Sequence, residues 1–258
     1  MPNYDRIPVT AFVGTGYSRI LTYPGASAEE VKARIQELAE IGVTELCFEG
    51  STLIDGISIL GKGCVGLVTK ATLDGAPIAL KIRRTDADRS SMGNEGRLLR
   101  MANSVDVGPR LMAATKNFLA MELIEGVPLF RWAESSFALK KMRAKHVLRR
   151  LLVDCFRLDT VGLDHGELSH APKNVLVSRT GEPFIVDFET ASTARRVANV
   201  TSLLQYFLFG RISGRIRVSI KLPRKNVVLK ALVDYKREGS VETFQNILSV
   251  LELEQPQL

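Results

Sequence analysis

The residues of this chain best suited to chemistry on an oxygen-rich, charged ligand stand in one stretch, LDHGELSHAPKNVLVSRTGEPFIVDFETAS. Glu167 and Asp187 are carboxylates and Asn174 is an amide, set on loops that flank two short β-prone runs, NVLV and FIVD. Hard oxygen donors of this kind suit Mg²⁺, which takes one or two protein carboxylates and completes its shell with substrate phosphates. Asp187 closes an apolar β-run, a less natural place for an acid than a solvated loop. Upstream, LGKGCVGLVTKA sets Gly61, Gly63 and Gly66 at G-x-G-x-x-G spacing, with Val68 two residues on. Glycines in such a turn let backbone N–H groups approach a phosphate without obstruction. A dinucleotide-binding turn shares the spacing but runs from a strand into a helix. Here GLVTKATL continues as a β-prone run into a turn at Asp74 and Gly75, the pattern of a hairpin.

The next β-prone run, PIALKIRR, carries Ala79 and Lys81 at alternate positions. An ammonium on a strand across from a phosphate-covering hairpin is placed to neutralise phosphate charge, provided an anion fixes its direction. Glu95, in the helical stretch SMGNEGRLLRMANS, is the carboxylate positioned to do so. FLAMELIEG then ends an apolar strand in Met121, Glu122, Leu123 and Ile124. At a junction between two halves, the backbone N–H and C=O groups of Glu122 and Ile124 are available to the edge of a purine ring. Taken singly, these segments also read as a plain hairpin turn, a solvated lysine, an exposed helix acid and a core strand. The order of all four is what points to a nucleotide.

The elements that must position these residues follow from periodicity. IPVTAFV and RILTY read as short strands separated by a turn at Gly14, Thr15 and Gly16. Ser27 reads as an N-cap with Glu30 completing a capping box. AEEVKARIQELAEIGV places Val31, Ile35, Leu38 and Ile41 on one helical face before a stop at Gly42. Its charged opposite face makes it a prop against a neighbouring sheet. LCFE, ISIL, GLVTKATL, IALKIR, LMAAT and FLAMELI predict a small antiparallel sheet with one inserted helix. After Gly126, WAESSFALKKMRAKHVLRRLLVDCFRLDTVG and VANVTSLLQYFLF predict helices, separated by a loop and the β-runs NVLVS and PFIVDF. The fold class expected is α+β, sheet-rich first and helix-rich second. The divisions expected are a strand-helix extension over 1–50, a first lobe over 51–124 and a second over 125–258.

Composition bounds the rest. At 258 residues, 45% apolar and 24% charged, the chain has the make-up of an ordinary globular protein. It has no run approaching the roughly 18 apolar residues of a membrane span, and MPNYDRIPVT reads as no secretory signal, so a soluble cytoplasmic protein is expected. Cys47, Cys64 and Cys155 lack C-x-x-C spacing and give neither a disulfide framework nor a zinc site. His146, His165 and His170 do not make a histidine metal centre, so carboxylates and a nucleotide are left to hold any metal. The net charge of +7 favours polyanions or acidic partners. Much of it lies in KKMRAKHVLRR, from Lys140 to Arg150, and in the segment Arg211–Arg237, with nine basic residues against the single acid Asp234.

Over residues 52–210 these segments resemble the protein-kinase superfamily, most nearly its atypical RIO-like members and the small predicted archaeal serine/threonine kinases. GKGCVGLV resembles the family's Gly-rich loop, Ala79 and Lys81 its A-x-K, Glu95 its helix-borne partner acid and MELIEG its hinge, with Met121 as gatekeeper. HGEL resembles the catalytic-loop H-R-D or H-G-D, Asn174 the magnesium-binding Asn, and Asp187-Phe188-Glu189 the D-F-G. The resemblance implies a two-lobed fold, with a small antiparallel sheet and one helix in the first lobe and a mainly helical second lobe. It implies ATP and Mg²⁺ as cofactors. ATP would lie among Gly61, Lys62, Gly63, Gly66, Val68, Ala79, Met121, Glu122, Ile124 and Leu176. Lys81, held by Glu95, would orient the α- and β-phosphates; Asn174 and Asp187 would hold the metal; Glu167 would receive or orient the substrate hydroxyl. His165 would be structural.

The chain departs from the family at three places. Glu167 stands where the family has Asp, the interval from Glu167 to Asn174 is two residues longer, and no A-P-E follows DFE, so a usual activation segment is missing. The activity implied is a serine/threonine phosphotransferase acting on a protein or on itself. Two alternatives stay open: a small-molecule kinase of the aminoglycoside-kinase type, which also lacks that segment, and a non-catalytic nucleotide-binding module that docks RNA or a ribonucleoprotein through its basic surfaces.

Overall fold

The computed structural model describes residues 5–25, 27–134, 141–209 and 223–254. Its strands pair antiparallel and alternate with several helices, a mixed α+β arrangement. The chain forms two compact units. The first runs through Arg100 and resumes over Pro109–Leu123; the second takes Met101–Gly108 and everything from Ile124 onward.

The first unit comprises β1 (Asp5–Pro8), α1 (Ser18–Leu21), α2 (Ala28–Glu40), β2 (Val43–Phe48), β3 (Thr52–Ile54), β4 (Ile57–Ile59), β5 (Gly61–Lys62), β6 (Gly66–Leu73), β7 (Ala76–Arg83), the start of α3 (Gly93–Asn103), β8 (Leu111–Ala114) and β9 (Phe118–Glu122). Among the described residues seven of these strands form one sheet, ordered β1-β2-β6-β7-β9-β8, with β5 paired to β6. The expected N-terminal strands are corrected here. IPVTAFV is strand only to Pro8 and then a 3-10 turn over Val9–Ala11, and RILTY begins in the helix α1, through Leu21, and ends in a turn. Ile20 and Leu21 are both fully buried. Consecutive residues of a strand point to opposite faces, so a half-buried strand could not bury both, whereas a short helix lying on the core can.

Register explains why the segment before residue 50, expected as an extension, is integral to the sheet. Val68 pairs with Lys81 and Lys70 with Ala79 between β6 and β7; Ala79 pairs with Met121 and Lys81 with Leu119 between β7 and β9. Cross-strand partners share a face, so Gly66, Val68, Ala79, Lys81, Leu119 and Met121 lie on one side. Leu67, Ala71, Ile78, Leu80, Ile82, Phe118 and Ala120 line the other, packed with Val9, Phe12, Ile20, Leu21, Leu38, Val43, Leu46 and Phe48 of the N-terminal segment. β7 is consequently buried at every position from Ile78 to Arg83. Burying Ile78, Leu80 and Ile82 stabilises the unit by roughly 1.5–3 kcal/mol each, and that burial requires α1 and α2 as the cover.

Helix α2 starts as expected, with Ser27 accepting from the Glu30 N–H at 3.3 Å. The reciprocal half of the capping box does not form, because the Glu30 carboxylate turns to Arg34 Nε at 2.7 Å. Arg34 lies on the apolar side of α2 with Val31 and Leu38 and is fully buried. Its guanidinium donates to the Leu21 carbonyl and, at 2.6 Å, to the Arg83 carbonyl, joining α1, α2 and the end of β7. Glu37 adds a second tie, accepting from the Asn117 backbone and side-chain amide, both at 2.7 Å, while Asn117 Oδ1 accepts from Arg83 Nε at 3.0 Å.

The second unit contains β10 (Gly126–Pro128), α4 (Leu129–Glu134), α5 (Lys141–Thr160), α6 (Ala171–Asn174), β11 (Val175–Ser178), β12 (Pro183–Ile185), α7 (Asn199–Phe209), α8 (Lys225–Glu238) and α9 (Val241–Val250). β10, β11 and β12 make a three-stranded antiparallel sheet. The long helix expected from Trp132 appears as α4 and α5; residues 135–140 between them lie outside the described residues. α5 buries Val147, Leu148, Leu151, Leu152, Cys155 and Leu158, a stripe at helical spacing. α8 stops at Gly239, whose positive φ of 63° lets its N–H return to the Tyr235 carbonyl at 2.7 Å. Phe156 of α5 stacks on Phe244 of α9 with centroids 4.3 Å apart.

The first basic cluster is tied into the unit. Lys145 reaches the Glu252 carbonyl at 2.9 Å, His146 meets Glu182 at 2.8 Å, and Arg150 meets Asp154 at 3.2 Å. Lys140, and the part of the second cluster from Arg211 to Lys221, lie outside the described residues; Arg224, Lys225, Lys230, Lys236 and Arg237 are exposed. Among the described residues no helix is long and apolar enough to cross a membrane.

Candidate functional site

Within the first unit the glycine-rich segment is a hairpin. Leu60 N–H donates to the Val68 carbonyl at 2.9 Å and Gly63 N–H to the Gly66 carbonyl at 2.8 Å, leaving Gly63 and Cys64 exposed at the tip. Gly66 has a steric reason to be glycine. A Cβ there would stand 3.1 Å from Lys81 Cγ and Cε and 3.0 Å from the Ile82 carbonyl oxygen, so the turn closes over the lysine stem only without a side chain. Gly61 pairs with Val68, on the face of Lys81. Lys62 pairs with Leu67, on the opposite face, and its ammonium donates to Tyr23 Oη at 2.6 Å. Lys62 was expected among the residues around ATP; the alternation of strand faces puts its side chain on the face opposite Lys81, so within the turn it is its backbone that stays on the side of the glycines.

Lys81 Nζ lies 2.7 Å from Glu95 Oε1, and both residues are only 4% exposed. Two features set that distance. Gly96, the next residue of α3, lets the helix approach the sheet; a Cβ there would meet Ala114 Cβ at 2.7 Å and Leu119 Cδ2 at 3.1 Å. Met92, buried beside Leu119 and Val65, fixes the start of the same helix. Burying two charges costs several kcal/mol, and even a well-made buried pair is no more stabilising than apolar residues of the same volume. Stability alone gives no reason to bury a lysine beneath a glycine turn.

At the end of β9, Ala79 and Met121 sit side by side, with Ala79 9% exposed. The expectation for Glu122 is corrected in one respect. Its N–H donates to the Arg110 carbonyl at 2.9 Å, which removes that group from those a purine edge could use. Regular structure stops there: Leu123, Ile124 and Glu125 belong to no strand or helix, and Ile124 is counted in the second unit.

Within the second unit the acids and the amide are brought together. The longer interval between Glu167 and Asn174 is folded into a 3-10 turn, Leu168–His170, followed directly by α6. These turns return Asn174 Nδ2 to within 3.0 Å of Glu167 Oε2. Val186 N–H donates to the Asn174 carbonyl at 2.9 Å, which sets Asp187 beside Asn174 at one end of the β11–β12 hairpin. Asp187 is exposed, with φ 66° and ψ 76°. Left-handed backbone in a non-glycine residue carries strain, and such strain concentrates at functional positions. Leu176, half-buried in β11, pairs with Pro128 and Phe184.

His165, expected to be structural, and several residues not singled out by motif hold this loop. His165 is fully buried; its N–H donates to Asn199 Oδ1 at 2.8 Å and its ring packs edge-on to Phe188 at 5.1 Å. Burial holds its imidazole below the usual pKa, and hence neutral, as expected of a structural histidine. Asp164 accepts from Arg195 Nε at 2.9 Å and from Ala198 N–H at 3.1 Å, and Arg195 covers Gly166, where a Cβ would collide with the guanidinium. Asp159 accepts from the N–H groups that open α7 and from Tyr235 Oη at 2.8 Å; burial raises its pKa in spite of these donors. A buried acid directly before His165-Gly166 was the available signal for Asp164. A glycine inside the helix that carries Glu95 was the signal for Gly96.

The donor set fits a hard divalent cation. With Asn174 Nδ2 turned to Glu167, its Oδ1 is the atom directed away, and the Val186–Asn174 backbone bond brings the backbone of Asp187 to the same end of the hairpin. No group of three or more His, Cys, Asp or Glu side chains arranged to hold a metal occurs among the described residues, so phosphate oxygens and water would have to complete the shell. Compared with models of known protein families, the chain matches none.

Proposed function

We propose that this chain is a Mg-ATP-dependent phosphotransferase of protein-kinase-like, two-lobed organisation that phosphorylates serine or threonine hydroxyls of a protein or of itself. The observation that carries the reading is the Lys81–Glu95 pair, held at 2.7 Å and buried under Gly66. A fixed ammonium beneath a glycine turn neutralises phosphate charge without having to reorganise, which is where most phosphoryl-transfer catalysis originates.

In this reading Gly61, Gly63 and Gly66 let backbone N–H groups meet the phosphates, and Lys81 holds the α- and β-phosphates with Glu95 fixing its direction. Val68, Ala79 and Met121 offer the purine an apolar face, and the carbonyl of Glu122 and the N–H of Ile124 its edge contacts. Asn174 Oδ1 and the Asp187 carboxylate would hold Mg²⁺, which would supply neutralisation of charge on the phosphate oxygens. Glu167 orients the substrate hydroxyl. As the hydroxyl oxygen bonds to the γ-phosphorus and the bond to the β-phosphate oxygen breaks, ADP leaves and the hydroxyl proton passes to the Glu167 carboxylate. The Asn174–Glu167 contact of 3.0 Å supports this role, because it directs a carboxylate one methylene longer than Asp.

The test is transfer of labelled γ-phosphate from Mg-ATP to the protein and to a generic protein substrate. Lys81→Ala, Asp187→Ala and Glu167→Ala should each lose labelling, while Glu167→Asp should retain part of it. Transfer at the wild-type rate by Lys81→Ala or Asp187→Ala refutes the assignment. Turnover of small alcohols or sugars without protein labelling moves it to a small-molecule kinase. ATP binding without any transfer moves it to a nucleotide-binding module, a reading favoured by the replacement of the family's Asp by Glu167.

A further inference from the structure

The side chain of Tyr23, in the N-terminal segment, reaches the glycine turn. Tyr23 packs against the core on the sheet face opposite Lys81. Its backbone is bound to the end of β7, with Thr85 N–H donating to the Tyr23 carbonyl at 2.8 Å and Thr85 Oγ1 to the Thr22 carbonyl at 3.1 Å. Its phenol oxygen accepts from Lys62 Nζ at 2.6 Å, and the same ammonium lies 4.6 Å from the ring centroid. The Arg84 guanidinium lies 5.4 Å from the ring centroid and donates to the Gly63 carbonyl at 3.1 Å, while the Arg84 backbone N–H holds the Val65 carbonyl at 2.8 Å. Asp86 fixes the Arg84 guanidinium through two contacts, 2.8 and 2.6 Å.

These contacts matter because they add side-chain ties to the backbone bonds that close a glycine-rich turn. Three glycines within six residues widen the backbone states open to the turn, and ordering them costs more than for other residues. Beside the buried Val65, the Lys62 side chain and the Gly63 carbonyl are points at which side chains grip the turn, and both of these grips converge on Tyr23. The register that places Lys62 on the face of Leu67 frees it for this purpose and removes it from the face of Lys81.

We propose that Tyr23, acting through Lys62 and Arg84, is a positioning residue that clamps the glycine turn from behind and so sets its affinity for nucleotide phosphates. The effect on nucleotide rests on the phosphotransferase reading; the clamp itself does not. Tyr23 touches no phosphate and does no chemistry. Its loss raises KM for ATP and leaves kcat at saturating ATP close to that of wild type. Loss of one charge-assisted hydrogen bond at a partly exposed site predicts an increase in KM of about three- to ten-fold. Because Tyr23 and Lys62 act as one contact, Tyr23→Phe adds nothing further to Lys62→Met, and Lys62→Arg, which can still donate to the phenol, keeps KM close to that of wild type.

Cys64 makes the clamp measurable without ATP, since it is exposed at the turn while Cys47 and Cys155 are buried. A nitroxide attached to Cys64 in the full chain should give a restricted spectrum in wild type and a more mobile one in Tyr23→Phe and Lys62→Met, with the melting temperature of each variant recorded alongside. Increased mobility together with the KM increase supports the proposal. Increased mobility in a protein that binds no ATP keeps the clamp and removes the nucleotide reading. Unchanged mobility in both variants, or a fall in kcat with KM unchanged, overturns the proposal and leaves the nucleotide reading standing.

Discussion

Replacing Gly96 by alanine sets two well-known effects against each other at the helix that carries Glu95. In an exposed helix the change stabilises by about 1 kcal/mol through backbone propensity. Here the new Cβ would stand 2.7 Å from Ala114 Cβ and 3.1 Å from Leu119 Cδ2. Ordinary carbon contacts begin near 3.5 Å, so α3 must back away by about 1 Å, because Ala114 Cβ is fixed to a strand backbone and cannot turn aside. Overpacking of this size costs about 1–3 kcal/mol, which outweighs the propensity gain and leaves a net loss of about 1 kcal/mol. The larger effect is on geometry. Lys81 and Glu95 are 2.7 Å apart, and a displacement of about 1 Å at the neighbouring residue breaks that contact, a scale of error worth about 100-fold in rate. The assay is urea denaturation together with single-turnover phosphate transfer on wild type, Gly96→Ala, and Gly96→Ala combined with Ala114→Gly, which removes the atom struck. Stability and transfer should fall in the single variant and recover in part in the double. A single variant more stable than wild type, with unchanged transfer, would refute the close approach and the role given to Gly96.

Other substitutions separate stability from chemistry. Replacing the pair together, Lys81→Met with Glu95→Leu, should give a protein at least as stable as either single variant and within about 2 kcal/mol of wild type, yet without ATP binding, measured by denaturation and calorimetry. Arg34→Met leaves the buried Leu21 and Arg83 carbonyls without their donor and should cost about 3–5 kcal/mol; Arg34→Lys should recover little, since one ammonium cannot span the set. Asp154 is buried, and burial lifts its pKa from 3.8 to about 6 despite Arg150 and Arg157. Between those values the folded state holds a proton that the unfolded state has lost, so this group's contribution to stability falls as pH rises through that window, by about 3 kcal/mol in all. Asp154→Asn should abolish that slope, and a variant with the wild-type slope between pH 4 and 6 would count against a raised pKa.

What the sequence disclosed follows from which forces act locally. The hairpin at Gly61–Gly66, the strand holding Lys81, the helix holding Glu95 and the β11–β12 pair were legible because alternation, turn glycines and helical spacing are properties of neighbouring residues. The Ser27 cap was legible for the same reason, while the other half of its box was not, since Glu30 is drawn to a guanidinium whose burial depends on the whole fold. RILTY failed because β-propensity is weak against tertiary burial: the core takes both Ile20 and Leu21, and only a helix presents them together. Lys62 was legible as a member of a glycine motif, but the face it occupies depends on a register with Leu67 that the motif does not encode.

The loop from Glu167 to Asn174 shows how spacing and side-chain length trade against each other. A carboxylate extended by one methylene needs its backbone moved back or its tip redirected if the oxygen is to stay in place. The interval from Glu167 to Asn174 permits the second: its residues wind into a 3-10 turn and then α6, so that the chain rise over the interval is small and Asn174 returns to Glu167 at 3.0 Å. Arg195 and Asp164 anchor Gly166 on one side of Glu167, and the Asn174–Val186 bond anchors the other, so the longer side chain is fixed at both ends of its loop. A shorter acid at the same position would sit about one methylene short of Asn174 and lose that contact. On the proposed reading Glu167→Asp, which introduces the acid of the kinase motif that this loop resembles, is therefore expected to lower phosphate transfer, and an increase would mean that the loop is not fitted to the longer acid.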